Sequence, residues 1–372
     1  MKTNVKKLLA SSLLCFGFYG GFSQDFKIPP LSVVGQNGIV SAQLIYDMDE
    51  KPTAQCHSST IIETSDGLMC AFFAGTHEKN KDVGIRVSHL KNGKWSWPVE
   101  VVNGFLTDSV KHPSWNPVLF KPKDGPTYLF YKVGPNVDTW WGAYTITEDE
   151  GRTWTRPVKM RTDKIVGDLL GPIKNKPVQL ANGTIISPTS IESRGTSNDR
   201  NWRIYFELSY DNGKNWTVVP PINDGEEFDA IQPSVLVHKN GDLQIIARTM
   251  QGVLVTSWSK DEGKTWSPLK STGLPNPNSG TDAVTLKDGR HLLIYNHSTN
   301  KGEQPKGRNL LNLAISDNGI DWKIISTLEN EPKPDGYAYP AIIQTSDGMV
   351  HITYTYNRRS IKHVVVDPRK ID

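Results

Sequence analysis

Residues 232–249 read QPSVLVHKNGDLQIIART, an apolar strand, a polar turn closed by Gly241, and a second apolar strand. The same pattern occurs as SSTIIETSDGLMCAFFAG (58–75), NPVLFKPKDGPTYLFYKVG (116–134), KPVQLANGTIISPTS (176–190), DAVTLKDGRHLLIYNHS (282–298) and YPAIIQTSDGMVHITYTY (339–356). The turn glycines Gly67, Gly125, Gly183, Gly241, Gly289 and Gly348 are 58, 58, 58, 48 and 59 residues apart. Asp-Gly and Asn-Gly supply the positive φ that tight hairpins need. Self-similarity at so steady a period is the mark of a repeat architecture.

A second motif falls about half a period later. It reads Thr147-x-Asp149-x-Gly151-x-Thr153-Trp154, then Ser209-x-Asp211-x-Gly213-x-Asn215-Trp216, then Ser259-x-Asp261-x-Gly263-x-Thr265-Trp266. Asp317-x-Gly319-x-x-Trp322 is an incomplete fourth copy, and Gly93 to Trp95 a degraded fifth. The Asp caps backbone N–H groups, the Gly takes the special dihedral, and the Trp packs between sheets. These aspartates are therefore expected to be turn staples, not catalysts. A hairpin plus this second hairpin makes four strands, one propeller blade. Six periods predict an all-β, six-bladed β-propeller. The last repeat has a single strand after its hairpin, Ile361 to Val366, so Ile39 to Met48 is expected to supply its fourth and close the ring.

The first residues read as an export signal: Lys2, Lys6 and Lys7, an apolar run from Leu8 to Phe18, then Gly20, Gly21 and Ser23 before cleavage at Gln24. The run is too short to span a bilayer, and Ser12-Leu13-Leu14 is a poor context for lipidation at Cys15. Residues 1–23 are thus expected to be removed and 24–372 to form one catalytic propeller domain, secreted, most naturally to the periplasm, and monomeric. No later stretch is apolar enough for a membrane span. The net charge of +3 is small, with basic and acidic residues interleaved, which excludes a nucleic-acid binder with its concentrated basic stripe. Cys56 and Cys70 lie in one hairpin at positions that do not face each other, and read as small buried hydrophobes. No Cys/His cluster has zinc-ligand spacing, so neither metal nor cofactor is expected.

The repeated Asp-turn-Trp motif resembles the Asp-boxes (BNR repeats) of sialidase-type propellers. His57-Ser-Ser-Thr60, Trp115-Asn-Pro-Val118, Lys132-Val-Gly-Pro135, Trp140-Trp-Gly142, Gly171-Pro-Ile-Lys-Asn-Lys-Pro177, Pro275-Asn-Pro-Asn-Ser-Gly280 and Tyr339-Pro340 resemble the bacterial branch of the sialidase superfamily called predicted neuraminidases. Sialidases hold the sialic acid carboxylate with three arginines and use a Tyr nucleophile, a Glu beside it and an Asp acid/base. The resemblance implies Tyr339 as the nucleophile's counterpart and puts Asp82 near the acid/base position. It implies His57-Ser58 in place of the first arginine, the apolar Gly252–Val255 where the second falls, Gln232 in place of the Glu, and Arg308 or Arg358 as the third arginine. With two clamps replaced, ordinary sialidase activity is not expected.

The start of each inner strand should face the propeller axis. Aligning the repeats puts His57, Asn116, Lys176, Gln232, Asp282 and Tyr339 there, four of them before a proline that keeps the strand extended. A second ring, where the next strand ends, offers Lys132, Arg248, Asn296, His297 and Tyr356 or Arg358. Of the adjacent Trp140 and Trp141, at least one is expected to be a sugar-stacking platform, whereas His363 reads as structural. Each blade gives a different polar group, as a site for one asymmetric ligand requires. The set is poor in carboxylates, while glycoside hydrolysis usually wants two. Elimination at a uronic acid wants its carboxylate neutralised and a Tyr or His to move the C5 proton. The candidate catalytic residues are therefore His57, Tyr339, Asp82, Asp282 and His297. The candidate binding residues are Asn116, Lys132, Trp140, Trp141, Lys176, Gln232, Arg248, Asn296, Arg308 and Arg358. The leading expectation is a lyase or dehydratase acting on a uronic acid at the non-reducing end of acidic, polysaccharide-derived oligosaccharides. A sialidase-like exo-glycoside hydrolase is the alternative, favoured if Asp82 and Asp282 meet across the pocket, and a non-catalytic glycan-binding propeller the second.

Overall fold

A computed structural model describes residues 27–104, 110–192 and 201–371. The expected export signal, residues 1–23, lies outside the described residues.

The chain forms six antiparallel sheets arranged as the blades of a propeller. The inner strands are Gln55–Thr64, Ser114–Phe120, Val178–Gln179, Ala230–Val237, Asp282–Thr285 and Tyr337–Gln344, in blade order one to six. Each opens the hairpin read from the sequence, and its blade continues outward through two further strands or edges. In the sixth blade the fourth strand is Ile39–Leu44, paired antiparallel with Ser360–Val366, so the N-terminal strand closes the ring as expected. The first blade splits its outer edge, Lys94–Trp95 and Val99–Val102 both pairing with Gly84–Lys91. Two short 3₁₀ turns are the helical elements among the described residues. No helix there is long and apolar enough to cross a membrane.

The Asp-turn-Trp motifs do what their chemistry dictates. Asp261 Oδ1 accepts from Thr265 N at 2.9 Å and Oδ2 from Thr265 Oγ1 at 2.6 Å. Trp266 Nε1 donates to Gly263 O, and the indole stacks on Phe206 of the preceding blade at 4.3 Å between centroids. The fourth copy departs from the sequence reading. There Asn318, not Asp317, is the cap, its Oδ1 accepting from Ile320 N and Asp321 N at 2.8 and 2.9 Å. Cys56 and Cys70 are buried and unbridged, opposite Ala74 and Ile61 respectively.

The start of the inner strand carries the feature that builds the site. Ser58, Asn116, Gln232 and Tyr339 have φ of 56°, 43°, 56° and 52°. Each sits in a bulge of its strand's register, between His57 and Thr60, Trp115 and Val118, Ile231 and Ser234, and Ala338 and Ala341. A non-glycine residue in this region is strained, and such strain gathers at functional sites. The bulge also corrects the alignment: in the first blade the residue equivalent to Tyr339 is Ser58, and His57 lies one position before it.

Candidate active site

Tyr339 is the centre of the site. Its Oη accepts a hydrogen bond from Arg248 Nη2 at 3.0 Å. The guanidinium carbons of Arg248 and Arg308 lie 5.4 and 5.5 Å from its ring centroid. Arg248 is held from behind by Asn278, to whose carbonyl and side-chain oxygens Nη1 donates at 2.9 and 3.3 Å, and packs over Trp202 at 5.3 Å. Arg358 completes a set of three guanidiniums, its Nη2 paired with Glu78 at 2.8 Å. The sequence reading looked for a second arginine at Gly252–Val255; Arg248, at the end of the fourth blade's second strand, is the one that reaches Tyr339. The site therefore has more cationic clamps than the resemblance implied.

His57 packs against Tyr339 with ring centroids 4.2 Å apart. Its Nδ1 lies 3.0 Å from Thr355 Oγ1, and its Nε2 is buried with no protein partner among the described residues. Burial first, then the charges of Arg358, Arg308, Arg248 and Lys174, hold the imidazole well below its ordinary pKa of 6.5, so it is neutral near pH 7. Gln232 donates from Nε2 to Glu192 Oε1 at 2.8 Å. Asn116 occupies the same bulge position in the second blade. The first, third, fourth, fifth and sixth blades thus meet around one tyrosine, as the asymmetric-ligand argument requires.

Other candidates are drawn into the scaffold. Asp282 is 2 % exposed. Its Oδ2 accepts from Lys176 Nζ at 2.8 Å and Ile342 N at 2.9 Å, and its Oδ1 from Asn175 Nδ2, Ser234 Oγ and Ala283 N. Burial would raise its pKa, but Lys176 and Lys174 outweigh that and hold it below the usual carboxylate range. It is a hub tying the third, fourth, fifth and sixth blades together, and Lys176 Nζ also donates to Ala283 O at 3.0 Å. Asp82 is exposed and closes its own loop, accepting from Thr76 N and Oγ1 at 2.8 and 2.7 Å. Asp82 and Asp282 do not meet, which removes the carboxylate pair on which the hydrolase alternative was to rest.

Lys132 is fully buried, its Nζ donating to the carbonyls of Leu169, Leu170 and Gly171; desolvation lowers its pKa to about 8. Asn296 Nδ2 donates to Leu310 O and Tyr337 O, and His297 Nδ1 bonds the buried Tyr295 hydroxyl. All three side chains thus make hydrogen bonds within the scaffold. Trp140 is buried against Trp115 and Ile173, whereas Trp141 is half-buried, under Lys159 and against the core between the first and second blades. His363 is structural, as expected, bonded to His351 at 2.9 Å.

Three residues around the site were not found from the sequence. Lys174 reaches the carbonyls of Thr281 and Pro340 across the axis, with φ of 68°. Glu78 pairs with Arg358. Glu192 lies two residues beyond Ser190, the third blade's counterpart of Lys132 and Arg248, and so on the same face of its strand; alternation was the signal for it. Among the described residues no group of three His, Cys, Asp or Glu side chains is placed to hold a metal.

Residues 66–352 match the family described as BNR repeat-like domain. Among solved structures, an unknown-function protein from Dyadobacter fermentans DSM 18053 superposes with a TM-score of 0.69 at 18 % identity, covering 89 % of this chain and 99 % of that one. The NanB sialidase from Streptococcus pneumoniae gives 0.66 at 13 % identity, over 92 % of this chain and 71 % of that one. The intramolecular trans-sialidase from Ruminococcus gnavus gives 0.66 at 16 % identity, over 91 % and 99 %. At these identities the likeness is one of fold.

Proposed function

Because the chain belongs to the BNR repeat-like domain family, we propose that it is a glycan-active enzyme whose substrate ends in an acidic sugar, and that it works by elimination next to that sugar's carboxylate. The observation that carries this reading is the Tyr339 cluster: a hydroxyl hydrogen-bonded by Arg248, flanked by Arg308, packed at a tilt against a neutral His57, with no carboxylate among the described residues bonded to either proton-transfer group. Arg248, Arg308 and Arg358 neutralise the uronate carboxylate and so acidify the proton at C5. The C5–H bond breaks, its electrons form the C4–C5 double bond, and the C4–O bond breaks. The proton passes from C5 to the departing oxygen through Tyr339 and His57. Arg248 stabilises the negative charge that develops on Tyr339 Oη during the transfer. An export signal at residues 1–23 would place this chemistry outside the cytoplasm.

The test is mass spectrometry of uronate-terminated oligosaccharides after incubation, with absorbance of the unsaturated uronate followed in parallel. Loss of water or of a glycosyl group with a new double bond is expected; addition of water across the linkage would overturn elimination.

A second reading is favoured by the three guanidiniums themselves. Such a trio also suits the carboxylate of a terminal sialic acid, with Tyr339 as nucleophile. Release of sialic acid, or of an internally bridged product, from a sialyl conjugate would establish it.

A further inference from the structure

Gln232 is fixed on one side only. Its Nε2 donates to Glu192 Oε1 at 2.8 Å, while its Oε1, equally buried, has no protein partner among the described residues. The residue is 1 % exposed. It fills the left-handed bulge of the fourth inner strand, the position Tyr339 fills in the sixth, and Ile231 beside it pairs with Arg248. The amide direction follows from chemistry. Against an ionised Glu192, which only accepts, the NH₂ faces the carboxylate, as placed here, and the carbonyl turns away from it. A buried carbonyl oxygen left without a donor is unfavourable, and so is a non-glycine residue at positive φ. Two such costs on one side chain, in the strand paired with the one that sends Arg248 to Tyr339, mark an acceptor kept for a ligand.

We propose that Glu192 and Gln232 form a hydroxyl-reading pair, in which Glu192 orients the amide and Gln232 Oε1 accepts a hydrogen bond from one hydroxyl of the acidic sugar bound at Tyr339. Gln232 is the specificity determinant, and Glu192 is a positioning residue acting through it. The pair rests on the reading of this site as one for an acidic sugar. It also gives recognition a dependence on acid. Glu192 faces Gln232 and Ser190 as donors and is attracted by Arg248 and Lys132; burial outweighs these and raises its pKa. Once protonated, it can donate to the amide oxygen, and the amide then turns its NH₂ toward the sugar.

The test uses D-glucuronate and its 2-, 3- and 4-deoxy analogues, titrated calorimetrically into the wild-type chain and into Gln232→Ala, Glu192→Gln and Glu192→Asp. One deoxy analogue is expected to bind the wild type at least about tenfold more weakly than glucuronate. That preference should vanish in Gln232→Ala, shrink in Glu192→Gln and be largely kept in Glu192→Asp. A ligand-free readout accompanies it: the Gln232 side-chain amide signal, assigned by its loss in Gln232→Ala, should move with pH and cease to move in Glu192→Gln. Equal binding of all three analogues, a preference that survives Gln232→Ala, or an amide that ignores pH would overturn the pair. Glucuronate failing to bind while the amide still titrates would overturn the uronate reading and support the Glu192–Gln232 coupling.

Discussion

Arg248 Nη2 donates to Tyr339 Oη across 3.0 Å and so bridges the fourth and sixth blades, which are not neighbours in the ring. The bond crosses the funnel, and the same guanidinium lies over the Tyr339 ring at 5.4 Å from its centroid. A guanidinium donating to a phenol oxygen stabilises whatever negative charge forms there. Tyr339→Phe removes the oxygen and keeps the ring that packs on His57. It should lower turnover by roughly a hundredfold or more with an unchanged melting profile. Arg248→Ala should both raise KM and lower kcat, because the same group holds substrate and steadies the transferring oxygen. Near-normal turnover of Tyr339→Phe would remove Tyr339 from the chemistry.

His57 offers a different handle, because its surroundings forbid protonation near neutral pH. An ordinary histidine would begin to charge below about pH 6.5. Here the acid limb of kcat/KM should show no inflection from His57 near its ordinary 6.5, and His57→Ala should lower turnover without moving that limb. An inflection near pH 6.5 that disappears in His57→Ala would show that the imidazole titrates normally, and would contradict the burial and the cationic neighbours that define its role.

Buried histidines also set the acid stability of the propeller. Burial pushes His291 and His297 down to about 4, and His363 down to about 3, against an ordinary 6.5. Between these values the unfolded chain binds more protons than the folded one, so stability falls as pH falls from about 6.5 toward 4. The melting temperature should drop over that window, and His297→Gln should make the drop shallower. A melting temperature independent of pH between 4 and 6.5 would contradict it.

The fold was legible because each blade repeats its own turn chemistry: six glycines at a steady spacing dictate six hairpins whatever surrounds them. The site was legible only in outline. Proline anchored the alignment of four inner strands, and in the first blade Ser59 stands where those four have proline, so His57 was aligned one residue from its true register. Lys176 and Asp282 occupy ring positions like those of Gln232 and Tyr339, yet they pair with each other from the third blade to the fifth, past the fourth. Position along a strand shows that a side chain faces the axis. Whether it meets ligand or another blade is decided by partners far away in sequence, as Lys132 shows by spending its charge on the carbonyls of residues 169–171. Arg248 was found at its ring position, but its contact with Tyr339 joins residues 91 apart and has no local signature.

Asp282 separates a scaffold role from a catalytic one most sharply. Its carboxylate takes hydrogen bonds from Lys176, Asn175, Ser234, Ala283 and Ile342, five donors spread over four blades. Removing one partner of a buried ion pair leaves the other charge uncompensated, at a cost of about 3–5 kcal/mol. Asp282→Asn keeps the shape but presents an NH₂ to donors, so it should lose stability of that order, and Asp282→Ala at least as much. Turnover per folded molecule should stay close to wild type, because neither oxygen is left for a substrate. Denaturant unfolding and active-site-normalised kinetics on the same preparations separate the two effects. An Asp282→Asn chain of normal stability that has lost its turnover would return Asp282 to the catalytic set and put the hydrolase reading ahead of elimination.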